Sequence, residues 1–203
     1  MFEVNEFSSL IQDDGYSYID NFYKNPDEVV NWLTARVPSY HKESEYPSYN
    51  GIHFADFRHD ITDPDWIRTL EKLESILNLK AQNRNVNTNM ITFFENEFND
   101  YKNNVWFPHV DRAKYNAIIF LNKEEVPGTN LYELMDKNYD VYNRPFEHYK
   151  PWESRKIWRV AKNIKSCYNR LILFESHRWH GMAVEDKTFF DNNFRLNQVV
   201  FFE

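Results

Sequence analysis

Glycine, cysteine and positive charge are scarce in this chain of 203 residues, and each shortage excludes a class of function. With 4 glycines, the glycine-built phosphate loops of nucleotide-binding proteins are not expected, and neither G-x-G-x-x-G nor a Walker sequence occurs. The single cysteine, Cys167, excludes an internal disulfide bond and a cysteine-built zinc or iron–sulfur site. The net charge of -7 gives no general attraction to phosphate backbones, so we expect no nucleic-acid partner.

Long apolar runs are missing as well. No window approaches the ~20 apolar residues of a membrane-spanning helix, and the acidic opening MFEVNEFSSLIQDD lacks the pattern of a secretory signal. We therefore expect a cytoplasmic protein with no membrane partner. Aromatic residues, by contrast, are abundant at 18%, and their rings must fill a core or line a pocket. The composition is that of one folded domain covering residues 1–203.

The N-terminal part, residues 1–88, is predicted to hold a strand and two helices. The segment YSYIDNFY (16–23) alternates apolar and polar residues, which predicts a strand. A helix over 26–36 follows, with Asn25 as its cap and a proline in its first turn. A second helix over 63–78 carries an apolar stripe at i, i+3 and i+4 spacing.

From residue 89 onwards the pattern changes to short strands, predicted at 89–95, 115–122, 129–133, 155–161, 169–174, 179–184 and 194–202. Helices first and strands afterwards predict an α+β fold. Its predicted form is a double-stranded β-helix (jelly roll) with the N-terminal helices packed on one outer face. The segment 134–154 is charged, aromatic and without periodicity, so we interpret it as an insertion in the 89–203 core that covers the substrate.

His109 and Asp111 form an H-x-D sequence. Side chains at positions i and i+2 of a strand point to the same side, so these two can bind one metal ion together. In a chain with 7 histidines such a tripeptide arises easily by chance. Its position gives it weight, because it stands directly before YNAIIFLN (115–122), the strongest strand signal in the chain.

A third ligand is expected on a late strand, because a β-sandwich brings distant strands together. His180, in NRLILFESHRWHGM (169–182), fills this role, although His177 is an alternative if the strand begins earlier. Two histidines and one carboxylate on one face of an octahedron leave three positions open, an arrangement that suits Fe(II) oxygenases. Zinc would accept the same ligands.

Arg195 lies in the last predicted strand, FRLNQVVFF (194–202). Alternation places Arg195 and Asn197 on the same face as the apolar Val199 and Phe201. A cation among inward-facing apolar residues requires an anionic partner, and a guanidinium group binds a carboxylate with two parallel hydrogen bonds. The distal carboxylate of 2-oxoglutarate is the ligand that this arrangement suggests.

These motifs together resemble the Fe(II)/2-oxoglutarate-dependent dioxygenase superfamily, especially its prolyl-4-hydroxylase-like branch. The resemblance rests on PHVD, AIIFLN, GTNLYE, NRLILFESHRWHG and RLNQVVFF in that order, and it covers most of 89–203. It implies a hydroxylase that uses Fe(II), 2-oxoglutarate and O2 and releases succinate and CO2. By position, His109, Asp111 and His180 match the metal ligands, and Arg195 matches the residue that binds the C5 carboxylate of 2-oxoglutarate.

The resemblance also singles out three further positions. Asn116 falls where family members often place a small polar residue facing the cosubstrate. Phe120 occupies a position where many relatives have a tyrosine whose hydroxyl reaches the C5 carboxylate. Phenylalanine has no hydroxyl, so Asn116, Asn197 or another polar group is expected to compensate for it. The family pattern favours His180 over His177.

Two other classes of function remain open from the sequence. One is a jelly-roll binding module without catalysis, and the other is a cupin-type metalloenzyme that uses no 2-oxo acid. The intact ligand set argues against the first, and Arg195 argues against the second. We expect a peptide or a small molecule as the substrate.

Overall fold

The computed structural model describes residues 2–35, 53–58, 64–92, 102–141, 152–185, 188–191 and 193–203. The described helices are α1 (Pro26–Thr34), α2 (Pro64–Leu77) and a short 3-10 helix (Thr188–Asp191). The described strands are β1 (Ile11–Asp13), β2 (Tyr16–Ile19), β3 (His53–Arg58), β4 (Arg84–Thr92), β5 (Asn104–Trp106), β6 (Tyr115–Phe120), β7 (Thr129–Leu134), β8 (Trp152–Ser154), β9 (Trp158–Ile164), β10 (Leu171–Glu175), β11 (His180–Met182) and β12 (Arg195–Phe202). The fold is therefore mostly β-sheet with two α-helices, as far as the described residues go.

The strands form one large antiparallel sheet and two small ones. The large sheet has the order β1-β2-β10-β6-β12-β4-β3, the second sheet has the order β11-β7-β9, and β5 pairs with β8. Neighbours in the large sheet are far apart in sequence, so the C-terminal strand β12 lies between β6 and β4. Residues that are distant along the chain therefore meet across this sheet.

Side chains of the large sheet alternate between two apolar layers. On one face, Leu196, Val200 and Phe202 of β12 belong to a cluster that also contains Val29 of α1 and Leu70 of α2. On the opposite face, a separate buried cluster joins the large sheet to the second sheet; it contains Ile118, Phe120, Leu131, Ile164, Ile172, Phe174 and Val199. The helices therefore pack on one face of the large sheet, as predicted, and the second sheet packs on the other.

The helices follow the predicted apolar stripes closely. In α2, Trp66, Leu70 and Leu73 are fully buried, and each such side chain contributes on the order of 2 kcal/mol by burial. Arg84 donates two hydrogen bonds to the Glu74 carboxylate at 2.6 and 2.8 Å, which joins α2 to the start of β4. This pairing keeps a buried carboxylate from being left without a partner.

Asn25 is the N-cap residue of α1, as predicted, but it does not cap the helix with its side chain. Asn25 makes no side-chain hydrogen bond to the helix, and its main-chain carbonyl instead accepts the Val29 N–H at 3.3 Å. Pro26 in the first turn and the acidic Asp27 and Glu28 supply the starting signal. The first helix ends at Thr34, two residues before the predicted end.

Strand β4 is the main departure from the predicted layout. The polar residues before position 89 already belong to β4, which begins at Arg84. Arg84 pairs with Phe202 of β12. Val86 and Thr88 are completely buried, so the segment alternates between a buried and a more exposed face despite its polar composition. The boundary that we drew at 88–89 therefore falls inside a strand.

Two other predicted segments differ in their limits. The strand predicted at 16–23 ends at Ile19, and Asn21 with φ of 51° turns the chain away. Of the strand predicted at 155–161, residues 155–157 form a turn, and strand β9 begins only at Trp158 and continues to Ile164. Within the predicted insertion 134–154, Trp152–Ser154 pairs with Asn104–Trp106, and residues 142–151 lie outside the described part of the chain. No helix in the described residues is both long and apolar enough to cross a membrane.

Candidate metal centre

Three predicted ligands, His109, Asp111 and His180, come together in the structure. Each offers one ligand atom, and these atoms all lie within 4.8 Å of one another. The two histidines also exchange main-chain hydrogen bonds at 2.9 Å in both directions, which forms an isolated antiparallel bridge. This bridge joins the segment before β6 to β11 and sets the two imidazole rings side by side, with centroids 4.3 Å apart.

Both imidazole rings are oriented by main-chain carbonyl groups. His109 Nδ1 lies 2.9 Å from the Phe107 carbonyl oxygen, and His180 Nδ1 lies 2.8 Å from that of Arg178. A carbonyl oxygen only accepts hydrogen bonds, so each Nδ1 carries a hydrogen, and Nε2 is the atom of each ring that can bind a metal ion once it is deprotonated. Metal-binding histidines are commonly fixed in this way.

The backbone next to these ligands is unusual at two positions. Phe107 has φ of 28°, a region that residues with a side chain rarely adopt, and its carbonyl group is the one that orients His109. Gly181 follows His180, and a Cβ atom at this position would lie 2.4 Å from the Trp106 carbonyl oxygen. A glycine is therefore required for β11 to approach the segment before His109.

Asp111 lies between the two histidines. Its Oδ2 is 3.1 Å from His180 Nε2, and its Oδ1 is 4.0 Å from His109 Nε2. Burial opposes ionisation of this carboxyl group, but the His180 hydrogen bond, the two histidines and Asn116 outweigh burial and lower its pKa below the ordinary value. Asp111 is therefore ionised at neutral pH, as a metal ligand must be.

His177, the alternative third ligand, lies outside the cluster. Its side chain is 76% exposed, and its Nε2 is 3.5 Å from Glu175. His180 is 4% exposed and starts β11, where pairing with Leu131 of β7 fixes its position. Strand pairing, which the sequence pattern alone did not decide, thus brings His180 into the group of ligands.

Arg195 is buried, and every hydrogen-bond partner of its guanidinium group among the described residues is neutral. It donates to the carbonyl oxygens of Pro127 at 2.7 Å and Gly128 at 3.3 Å, and to Asn197 Oδ1 at 2.5 Å. Thr129 Oγ1 lies at 3.5 Å. Burial lowers the pKa of Arg195 to about 10, so the group is still positively charged at neutral pH.

Asn197 and Phe120 complete the surroundings of this cation. Asn197 is 1% exposed, and its Nδ2 is a buried donor without a hydrogen-bond partner. The Phe120 ring lies 5.6 Å from the Arg195 guanidinium carbon, where it contacts the cation without offering a hydroxyl group. A buried cation beside an unused donor is an environment that an anion would stabilise.

Strand β7 contacts both Arg195 and the candidate ligand His180. Thr129, its first residue, contacts Arg195, and Leu131 pairs with His180. Two residues of a strand span roughly 7 Å, a separation that a short dicarboxylic acid can bridge. The sequence analysis did not identify Thr129, although the GTN sequence at 128–130 marked the segment.

Asn116, by contrast, does not point to Arg195. Its Nδ2 donates to Asp111 Oδ2 at 2.5 Å, and its Oδ1 accepts a hydrogen bond from the Ser176 hydroxyl at 2.8 Å. In this structure Asn116 contacts the candidate metal ligand Asp111, and the cosubstrate contact that the resemblance implied for Asn116 stays a prediction. Ser176 was also missed by the sequence analysis, since nothing local in LFES links it to Asn116.

Comparison with known proteins gives structural matches only. No family model and no curated protein sequence matches the chain. The epimerase SnoN, in complex with Fe3+, alpha ketoglutarate and nogalamycin RO, matches with a TM-score of 0.53 and 12% identity, over 92% of this chain and 78% of that chain. An oxidoreductase of the 2OG-Fe(II) oxygenase family from Burkholderia pseudomallei matches with a TM-score of 0.50 and 12% identity, over 93% and 84% of the two chains.

A prolyl-4-hydroxylase from Pseudomonas putida matches at 13% identity over 93% of this chain and 92% of that chain, with a TM-score of 0.47. The first two matches establish that this chain shares its fold with an epimerase solved in complex with Fe3+ and alpha ketoglutarate and with an oxidoreductase of the 2OG-Fe(II) oxygenase family. At this identity they establish the fold alone, and the chemistry rests on the residues of this chain.

Proposed function

We propose that this protein is an Fe(II)- and 2-oxoglutarate-dependent dioxygenase of the prolyl-4-hydroxylase-like branch, and that it hydroxylates its substrate. One observation supports this most strongly. A cluster of two histidines and one aspartate lies one short strand segment away from Arg195, a buried cation whose hydrogen-bond partners among the described residues are all neutral. A metal site requires the cluster of two histidines and one aspartate. Binding of a dicarboxylate cosubstrate to that metal requires the buried cation as well.

The donor set fits the proposed metal and cosubstrate. Two neutral imidazoles and one carboxylate suit Fe(II) and leave positions for other ligands. Arg195 and the unused Nδ2 of Asn197 offer hydrogen bonds to a carboxylate. In this proposal the chain is one domain, 1–203, whose sheets form a double-stranded β-helix around the site.

Each residue has a defined task in the proposed reaction. His109, Asp111 and His180 would hold the iron, which supplies the activation of O2 and the oxidation of a C–H bond when 2-oxoglutarate is bound. The carbonyl groups of Phe107 and Arg178 keep both imidazoles in the tautomer that binds metal. The overall reaction would consume 2-oxoglutarate and O2 and yield succinate, CO2 and a substrate that has gained one oxygen atom.

The remaining residues orient the cosubstrate and exclude water. Arg195 would bind the C5 carboxylate, with Asn197 Nδ2 and the Thr129 hydroxyl as further donors in place of the hydroxyl that Phe120 lacks. Phe120, Ile172 and Phe174 belong to the apolar layer between the two sheets, which keeps this region dry.

The substrate and the location of the protein also belong to the proposal. A peptide or a small molecule is the proposed substrate, because the net charge of -7 disfavours nucleic acid. We propose a cytoplasmic enzyme with no membrane partner. Mass spectrometry of a cell lysate treated with the enzyme, screened for products that gain one oxygen atom, is the way to find the substrate.

Two rival functions make different predictions. A binding module without catalysis would contain no metal and release no succinate. A cupin-type metalloenzyme would bind metal, but its activity would not depend on 2-oxoglutarate or on Arg195. Metal analysis of protein purified without chelator, combined with an assay for succinate, separates all three.

The proposal is tested most simply by replacing Asp111 with alanine. The parent protein, supplied with Fe(II), 2-oxoglutarate and air, should form succinate, and Asp111→Ala should abolish it because one of three ligands is lost. The exposed Asp14→Ala is the matched control and should turn over like the parent. Succinate formation that persists in Asp111→Ala would rule out Asp111 as a ligand.

A further inference from the structure

We propose that Asn116 and Ser176 act as a pair of positioning residues that fix the orientation of the Asp111 carboxylate at the metal site. The inference rests on the proposed function, because it concerns the ligand that Asp111 is proposed to be. It assigns Asn116 to the metal site and gives Ser176 a role that the sequence patterns did not indicate.

The hydrogen bonds form a chain from Ser176 to the ligand. The Ser176 hydroxyl donates to Asn116 Oδ1 at 2.8 Å, and Asn116 Nδ2 donates to Asp111 Oδ2 at 2.5 Å. Asn116 is 1% exposed and Ser176 is 0% exposed. The Asn116 amide and the Ser176 hydroxyl are thus shielded from water, which strengthens the hydrogen bonds that they make, while the Asp111 side chain itself is 25% exposed.

The direction of the Asn116 amide follows from the chemistry of its neighbours. The ionised carboxylate of Asp111 only accepts hydrogen bonds, so the NH2 end of the amide must face it. The carbonyl end then faces Ser176, whose hydroxyl has a hydrogen to donate. Without the serine hydroxyl, the carbonyl end of the amide would be buried without a donor and free to turn.

The main chain of Ser176 also holds Asp111. The Asp111 N–H donates to the Ser176 carbonyl oxygen at 3.0 Å, and the Ser176 N–H donates to the Lys114 carbonyl oxygen at 3.1 Å. Asn116 of β6 pairs with Phe174 of β10, and Ser176 is the first residue after β10. The pairing of the two strands therefore fixes the position of Ser176 relative to Asn116. Ser176 therefore contacts Asp111 through its backbone and, by way of Asn116, through its side chain.

The consequence is a carboxylate with restricted rotation. A free aspartate rotates about its Cβ–Cγ bond and can present either oxygen atom or both. The bond from Asn116 engages Oδ2 and removes this freedom before any metal binds. Loss of such an outer partner typically weakens metal binding by about 10- to 100-fold.

The test is a double-mutant cycle on Mn(II) binding, which needs neither substrate nor turnover. Mn(II) affinity is measured for the parent, Asn116→Ala, Ser176→Ala and the double variant, from the loss of the free-ion signal in electron paramagnetic resonance. Asn116→Ala should weaken binding by about 10- to 100-fold, and Ser176→Ala by about 5-fold, the equivalent of one hydrogen bond. The double variant should bind like Asn116→Ala, because Ser176 acts through Asn116.

A matched control separates positioning from general destabilisation. Asn169 is also a buried asparagine that uses both amide atoms, which bind the main chain of Tyr23. Glycine accepts its φ of 60°, so Asn169→Gly loses only the side chain. This variant should lower the melting temperature and leave Mn(II) affinity unchanged.

Four results would overturn the inference. The first is parent-like Mn(II) affinity in Ser176→Ala, which decides the matter even if Asn116→Ala does not fold. The second is a double variant whose loss equals the product of the two single losses. The third is an Asn116→Ala protein with normal Mn(II) affinity and weakened 2-oxoglutarate binding, as a cosubstrate contact would give. A parent protein that binds no Mn(II) would instead overturn the proposed function together with this inference.

Discussion

The guanidinium group of Arg195 is a permanent cation held by neutral oxygen atoms. Its neighbours supply carbonyl and amide oxygens, but among the hydrogen-bond partners described for it there is no carboxylate. An uncompensated buried charge is costly, and proteins tolerate the cost where a ligand supplies the opposite charge. Beside it, Asn197 Nδ2 is a buried donor that has no hydrogen-bond partner among the described residues. At the residue scale, both features favour an anion as the ligand of this site.

Replacing Asn197 by aspartate tests this interpretation. The new carboxylate would pair with Arg195 from inside the chain, so the metal-free and cosubstrate-free protein should melt at a higher temperature than the parent. The same pairing competes with 2-oxoglutarate, whose dissociation constant in the presence of Mn(II) should rise about 10- to 100-fold, since a charged hydrogen bond contributes about 1.5–3 kcal/mol. Calorimetry measures both quantities.

Asn130→Asp is the control for this change. Asn130 is 4% exposed and is hydrogen-bonded to Asn163 and Tyr132. An aspartate at this position should lower the melting temperature, because its buried negative charge would not be paired with Arg195. Unchanged 2-oxoglutarate affinity in Asn197→Asp would contradict the anion site.

At the scale of elements, the site depends on how closely β11 approaches Trp106, the last residue of β5, and Phe107, the residue after it. The main chains of His109 and His180 are hydrogen-bonded to each other, and Gly181 lies directly against the Trp106 carbonyl group. A Cβ atom at Gly181 would also come within 3.0 Å of the Phe107 carbonyl oxygen, which belongs to the residue that orients His109. The packing of these two segments therefore sets the distance between the two histidines.

Gly181→Ala should separate the two segments. The methyl group meets backbone atoms that cannot move alone, so we expect a loss of stability of about 1–3 kcal/mol together with weaker Mn(II) binding. Met182→Leu, one residue further along β11, conserves volume and should cost less than about 1.5 kcal/mol without changing Mn(II) affinity. Chemical denaturation measures the first effect and Mn(II) titration the second. Parent-like Mn(II) affinity in Gly181→Ala would show that the close approach does not set the ligand geometry.

Elements with strong local signals were predicted well, and those that depend on pairing were not. The apolar alternation of β6 and β12 and the stripe of α2 gave elements close to their observed limits. Strand β4 was missed over Arg84–Thr88 because its residues are polar and its strand conformation comes from pairing with β12. The N-cap position of α1 was also predicted correctly, although the main-chain carbonyl of Asn25, and not its side chain, bonds to the helix.

At the scale of the whole molecule, the site is assembled from distant parts of one chain. His109 and Asp111 precede β6, His180 starts β11, and Arg195 starts β12. The sequence indicated these four residues because each has a local signal. His109 and Asp111 have the spacing of a metal-binding pair, His180 lies in a late predicted strand, and Arg195 is a charge in a strand of alternating apolar residues. The contacts of Asn116, Thr129 and Ser176 arise only from pairing across sheets, so no local pattern reveals them.

The large sheet separates structural and chemical tasks. Its helix-covered face holds the larger apolar cluster, and its other face contributes Phe120 and Phe174 beside Arg195 and His180. Stability and chemistry therefore depend on alternate residues of the same strands. This arrangement explains why the order of motifs along the chain predicted the fold better than any single motif did.

The central claim, that this site binds Fe(II) and 2-oxoglutarate together, is tested most directly by anaerobic visible absorption. Fe(II) and 2-oxoglutarate added together should give a weak charge-transfer band that saturates with one equivalent of each, because a 2-oxo acid chelates the iron. Succinate, which lacks the 2-oxo group, should give no band, and Asp111→Ala should not form it. A parent protein that binds Fe(II) and yet shows no such band at saturating 2-oxoglutarate would contradict the claim.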